Sequence, residues 1–198
     1  THKTLSMNNF KVDEECVRMG DRKCKIFSLV DVDSINLPSL VRPFANIEVN
    51  NTQMPVDVMA AIDQIPEART VVYNQMIFIP NQKRELALLE KKKNRHASIP
   101  NPGNQMAVED IKQVQEVMAR EGKQLVYTHY NLVVCCDSDA DLQKPTNHLE
   151  NTFGRMGVHI SKRAYNQLEL FVNSFPGNCY GMSAEYDRFL TLGDAAAC

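Results

Sequence analysis

No run of apolar residues in this 198-residue chain is longer than about five, as in Met76–Pro80 and Leu132–Cys136, against the roughly 20 that a bilayer-spanning helix needs. No sign of charge dominates either. The 22 Lys and Arg stand against 24 Asp and Glu, which excludes a generally basic nucleic-acid coat and leaves only a local patch open. The cysteines (Cys16, Cys24, Cys135, Cys136, Cys179 and Cys198) are irregularly spaced and contain no C-x-x-C. The first ten residues are polar, with no apolar leader core. A reduced, cytoplasmic setting is therefore expected, and Asn50-Asn51-Thr52 reads as a chance sequon.

The signatures of catalysis are also missing. A phosphate loop needs glycines that let backbone N–H groups surround phosphates, with a lysine to follow. The one Gly-Lys, Gly122-Lys123, continues with Gln124 and has Val117 where the first glycine belongs. Leu132–Asp137 resembles a strand ending in a magnesium-binding acid, but without a phosphate loop it reads as a plain central strand. Asp137-Ser138-Asp139-Ala140-Asp141 imitates a calcium loop, yet Leu142 and His148 occupy the positions that demand Gly and Glu. Capping of the next helix by Asp137, Ser138 or Asp139 is the expected role. His2, His96, His129, His148 and His159 are scattered, with none at zinc spacing. Cys135 and His129 share a strand face but stand about 20 Å apart along it, too far for a thiol–imidazole pair. There is no G-x-S-x-G either. No catalytic, nucleotide-binding or metal residue is assigned.

What is present is an ordinary globular composition, 43% apolar and 23% charged, on a chain able to bury roughly 70% of its unfolded surface. Lys23–Asp33 and Arg69–Ile79 read as strands, and Pro55–Ile65 as a short helix stopped by Pro66. Asn46–Asn50 reads as a possible edge strand. Asn81 opens a helix running to Ala97. Ser98–Gln105 is the clearest linker. Met106–Arg120 places Ala107, Val108, Ile111, Val114 and Met118 on one helix face and stops at Gly122. Lys123–Cys136 is a long strand with Leu132, Val134 and Cys136 on one face and His129, Asn131, Val133 and Cys135 on the other. A helix over 141–156, with Pro145 in its first turn or kinking it, leads to a short strand at 157–160. A helix over 163–173 and a strand at Phe189–Leu192 follow. The expected organisation is a polar segment 1–22, a first α+β subdomain 23–98, a linker 99–105 and a second α+β subdomain 106–198. The expected fold class is α+β: a mixed sheet with helices packed on it, ferredoxin-like in the second half. Val134 on the long strand and Phe171 on the helix covering it are expected to be buried.

Two features stand out from this background. Over 81–98, Lys83, Arg84, Lys91, Lys92, Lys93 and Arg95 stand against Glu85 and Glu90. The run Lys91, Lys92, Lys93 and Arg95 suits nucleic acid, anionic lipid or an acidic partner, or simply complements the dipole at a helix C-terminus. No aromatic interleaves it, so base stacking is unsupported. The second feature is Phe175-Pro176-Gly177-Asn178. Pro176 must end the preceding helix, and Gly177 is free to take a positive φ.

The order of segments then becomes informative. Lys25-Ile26-Phe27-Ser28-Leu29 is followed by Leu132-Val133-Val134 and Gly154-Arg155-Met156-Gly157-Val158. Glu169-Leu170-Phe171, Phe175-Pro176-Gly177-Asn178 and Phe189–Ala196 complete the series. This resembles the amino-terminal portion of the CagE/TrbE/VirB family of type IV secretion and conjugation ATPases, and looks most like the TraG type of conjugative transposons. The likeness is most specific over about 106–196. It implies a non-catalytic domain that precedes the phosphate-loop motor, with ATP and Mg²⁺ bound only in that downstream domain. A chain that starts with Thr and stops at Cys198 after an apolar run reads as cut from such a parent. The resemblance also implies contacts with other ATPase subunits and with type IV secretion channel components, at the cytoplasmic face of the bacterial inner membrane. The alternative from another class is a stand-alone ferredoxin-like nucleic-acid-binding module using the 91–96 patch.

Overall fold

A computed structural model describes residues 10–29, 44–45, 54–55, 62, 64–137, 139–155, 159–161, 165–178, 181–183 and 187–196. In chain order the strands and helices are β1 (Phe10–Val12), β2 (Val17–Met19), β3 (Arg22–Leu29), β4 (Phe44–Ala45), β5 (Met54–Pro55), β6 (Ala68–Phe78), α1 (Gln82–Ala97), α2 (Pro102–Glu121), β7 (Leu125–Asp137), α3 (Gln143–Arg155), β8 (Ile160–Ser161), α4 (Gln167–Asn173), β9 (Phe189–Leu192) and α5 (Gly193–Ala196). The fold is α+β, as expected. One sheet has the order β1-β2-β3-β7-β6, with β8 also pairing β3 and β9 also pairing β7, and β4–β5 form a small second pair. The sheet is antiparallel. Segment 106–174 thus draws its neighbouring strands β3 and β6 from the first half of the chain.

The chain divides into two compact units, Thr1–Met76 with His129–Phe189, and Ile77–Thr128 with Leu190–Cys198. In the first, the period-two alternation of β7 decides the layering. Leu132, Val134 and Cys136 pack with Phe27, Ile65, and Leu149 and Phe153 of α3. Val133 and Cys135 pack on the other face with Val17, Cys24, Ile26, and Leu170 and Phe171 of α4. Each helix therefore covers one face of the same strands. Val134 (0% exposed) and Phe171 (4%) are both buried, but on opposite faces, so α4 does not cover Val134 and α3 does. The β2–β3 hairpin turns at Gly20, whose φ of +55° favours glycine.

The second unit holds a helical hairpin of α1 and α2. Half of the linker-like stretch at Ser98–Gln105 is helix: α2 starts at Pro102, not Met106, because Asn101 caps it and Pro102 sits where a missing N–H costs nothing. Gly122 closes α2 in the left-handed conformation, φ +67°. Two other expectations shift. The 1–22 segment contains the β1–β2 hairpin, and the helix expected over 163–173 begins at Gln167, with Asn166 as its N-cap residue and Tyr165 outside it. Pro55 lies in β5, and the rest of the helix expected at 55–65 falls largely outside the described residues, as does the edge strand at 46–50.

Candidate functional site

Phe175-Pro176-Gly177-Asn178 forms a closed reverse turn directly after α4. The Asn178 N–H donates to the Phe175 carbonyl at 3.1 Å, and Gly177 has φ +81°. Proline at the second position and a positive-φ glycine at the third are the residues a type II turn requires. The turn is tied back to the helix it ends. The Asn178 side chain donates to Val172 O at 3.0 Å, and the Phe175 ring meets Phe171 edge-on with centroids 5.1 Å apart. Phe175 nevertheless remains 45% exposed, so the turn presents an aromatic side chain to solvent.

Behind the turn lies a polar network that the sequence did not announce. Ser174 Oγ donates to Leu170 O at 2.7 Å and lies 3.3 Å from Asn131 Oδ1. Asn74 Nδ2 donates to the same Asn131 oxygen at 2.9 Å. The fully buried His129 places Nδ1 2.7 Å from the Asp187 carbonyl and Nε2 3.2 Å from Asn131 Nδ2. A carbonyl only accepts, so Nδ1 carries the proton and Nε2 receives the Asn131 N–H. On the neighbouring strand, the Gln167 amide pairs with both backbone groups of Ile26 at 2.8 and 2.9 Å, fixing α4 to β3. Of these, only His129 and Asn131 share a strand alternation in the sequence; the contacts that join separate segments span 43 to 141 positions.

In the other unit, the basic run lies along α1. The helix is anchored at its start: the Gln82 amide donates to Leu125 O (2.8 Å) and accepts from Leu125 N (2.9 Å), and Tyr127 Oη donates to the buried Glu85 at 2.8 Å. Burial, then the Glu85 carboxylate, pushes the Tyr127 hydroxyl up from its usual value. Lys93 is drawn inward. It pairs with Glu90 at 2.6 Å and donates to Gln115 of α2 at 3.1 Å, so it belongs to the hairpin rather than to a free patch. The Lys93 and Gln115 hydrogen bonds hold the Glu90 carboxyl below its usual value. Lys91, Lys92 and Arg95 are exposed. At helical spacing they share a face with exposed Arg84 and with Leu88, which is 49% exposed. The four residues at 91–93 and 95 are thus not one patch: three face outward and one is structural. The basic helix and the Phe175–Asn178 turn belong to different units.

The acids at the end of β7 are held by partners. Asp137 pairs with Arg69 at 2.9 Å, and Glu67 pairs with Lys144 while accepting the Asp141 N–H at 2.9 Å. They line an open depression of about 380 Å³ with Asp139 and Ala140. At the start of α3, Asp141 Oδ1 accepts from Gln143 N at 3.0 Å, where capping by Asp137, Ser138 or Asp139 was expected; Asp137 instead pairs with Arg69, and Ser138 lies outside the described residues. Pro145 lies in the first turn of α3. Among the described residues no group of His, Cys, Asp or Glu is placed to hold a metal ion, and no helix is long and apolar enough to cross a membrane.

The family model described as TraC protein matches residues 9–179, a span running from the start of β1 past the Phe175–Asn178 turn. No curated protein matches the chain.

Proposed function

The chain belongs to the TraC protein family, and from that premise we propose that it is the non-catalytic amino-terminal domain of a conjugation ATPase, working through protein–protein contacts. Membership itself makes it a protein of conjugative transfer and type IV secretion. The finer reading is ours: a parent of the TraG-like, CagE/TrbE/VirB kind. Its ATP and Mg²⁺ are bound by a separate motor domain, and this domain contacts neighbouring subunits and channel components. The setting proposed with it is the cytoplasmic face of the inner membrane, reached through those partners.

The observation that carries the contact role is the outer face of α1. Arg84, Lys91, Lys92 and Arg95 surround a half-exposed leucine, Leu88. Elsewhere in the same hairpin, Ile99 before α2 (62% exposed) and Met106 within α2 (65%) are exposed apolar side chains as well. Cations around an apolar centre suit an acidic, partly apolar protein surface, where charge speeds encounter and the apolar atoms supply affinity. A phosphate backbone would use the cations alone and gain nothing from Leu88. A photo-reactive residue at position 88, in donor cells carrying the whole transfer system, tests this. Adducts with a protein of that system, lost on charge reversal at Lys91 and Lys92, are expected. Adducts with DNA, together with a steep salt dependence of DNA binding, would overturn it in favour of the nucleic-acid module.

A further inference from the structure

Two cysteines 111 positions apart meet in the centre of the first unit. The antiparallel register of β3 and β7 places Cys24 directly opposite Cys135, and their sulfurs lie 2.7 Å apart. Directly opposed residues of an antiparallel pair have Cα atoms about 4.5 or 5.5 Å apart, both inside the window that a disulfide accepts, and bonded sulfurs lie about 2.05 Å apart. Cys24 is 0% and Cys135 8% exposed, in a cluster otherwise made of Val17, Ile26, Val133, Leu170 and Phe171. Each thiol is thus the other's immediate polar neighbour. The two other cysteines among the described residues are placed differently. Cys136 points to the opposite face of β7, among Leu149 and Phe153, and Cys16 lies 3.8 Å from the Asp13 carboxylate.

We propose that Cys24 and Cys135 are a redox pair, open as dithiol and closed as an intrachain disulfide when a hydroperoxide reaches the sheet. Cys135, the more accessible of the two, is the attacking sulfur. The Cys24 hydrogen bond, and after it nearby Arg22, favours its thiolate against the cost of burial, whereas Cys24 is held protonated. The Cys135 thiolate attacks one peroxide oxygen and the O–O bond breaks. Cys135 becomes a sulfenic acid, and the leaving hydroxide or alkoxide takes a proton. The Cys24 sulfur then attacks the sulfenic sulfur, and the S–O bond breaks. An S–S bond forms and water leaves with the Cys24 proton. Two thiols lose two electrons, and hydrogen peroxide ends as two waters. The product joins β3 to β7 covalently and closes a loop of more than a hundred residues, so the cross-link removes much of the unfolded chain's freedom.

The test treats the purified, reduced protein with hydrogen peroxide. The chain is then denatured, its free thiols are blocked with a maleimide, and the peptides are mapped by mass spectrometry. The expected result is a linked pair of peptides carrying Cys24 and Cys135, a Tm raised by roughly 10 °C, and reversal of both by dithiothreitol. Cys16→Ser and Cys136→Ser should leave the link intact. Cys24→Ala should abolish the link and the Tm rise together. The mapping of the unsubstituted protein decides the matter even where that variant is unstable. Free Cys24 and Cys135 after oxidation, or links through Cys16, Cys136 or a second chain, would overturn the proposal.

Discussion

Replacing Gly177 separates a turn held by backbone conformation from one held by close packing. Its φ is +81°, and a side-chain Cβ built there would meet nothing within 4 Å. Steric crowding therefore contributes no cost, and the whole penalty is that of an L-residue held in the left-handed region. That penalty is about 1–3 kcal/mol, largest for a β-branched side chain and smallest for asparagine. It is offset in part by the lower entropy of the unfolded chain when glycine is removed, about 0.4–1 kcal/mol. The order of stability should be Gly177, then Gly177→Asn, Gly177→Ala and Gly177→Val, with the last, near the top of the penalty range, losing about 2 kcal/mol net of that offset. A domain stable by about 5–15 kcal/mol stays folded through this change. Urea unfolding followed by circular dichroism reads the series. Equal stability of the Asn and Val variants would refute the conformational argument, since nothing else at this position tells them apart. If the turn also sets the path of the chain beyond it, Gly177→Val should impair DNA transfer by the parent protein at normal protein levels.

Other outcomes follow from the same geometry. Phe171→Ala empties a buried site between α4 and the sheet and should cost about 3–5 kcal/mol in urea unfolding; a loss below about 1 kcal/mol would mean the face is misassigned. His129→Leu removes the hydrogen bond to Asp187 and leaves the Asn131 N–H without its acceptor, so a loss of about 1–3 kcal/mol is expected, checked by the same assay. Glu67 is held below its ordinary value of 4.5, first by the Lys144 hydrogen bond and then by the Asp141 N–H. Its contribution is therefore complete above about pH 4.5 and fades as the pH falls below that value. The stability gap between the protein and Glu67→Gln should be present at pH 7 and shrink toward pH 3; a gap independent of pH would exclude the ion pair as its source.

The parts legible in the sequence were those governed by one local rule. Alternation along Lys123–Cys136 assigned Val134 and Cys135 to opposite faces, as found, because a strand's side chains have no other choice. Pro176 and Gly177 likewise marked a helix stop and a positive φ. Misreadings came where two rules competed. Asn101-Pro102-Gly103 carries linker composition, yet asparagine then proline is also a helix cap and first turn, and the cap prevailed. The β1 and β2 strands are three residues each, too short for a period to appear against polar neighbours. The basic run looked uniform because sequence does not reveal that Lys93 alone reaches Gln115. The His129–Asp187, Asn131–Ser174 and Cys24–Cys135 contacts depend on pairing between distant segments, which no local pattern encodes.

The most direct measurement of the contact role is the conjugal transfer frequency of donor cells whose parent protein carries Lys91→Glu, Lys92→Glu and Arg95→Glu together. These side chains are exposed on α1, so stability should change by no more than about 0.5 kcal/mol per substitution. With protein levels and Tm unchanged, a fall in transfer of about tenfold or more is predicted, through loss of charge complementarity with the partner surface. Transfer at the unsubstituted frequency, at equal protein levels, would contradict the account.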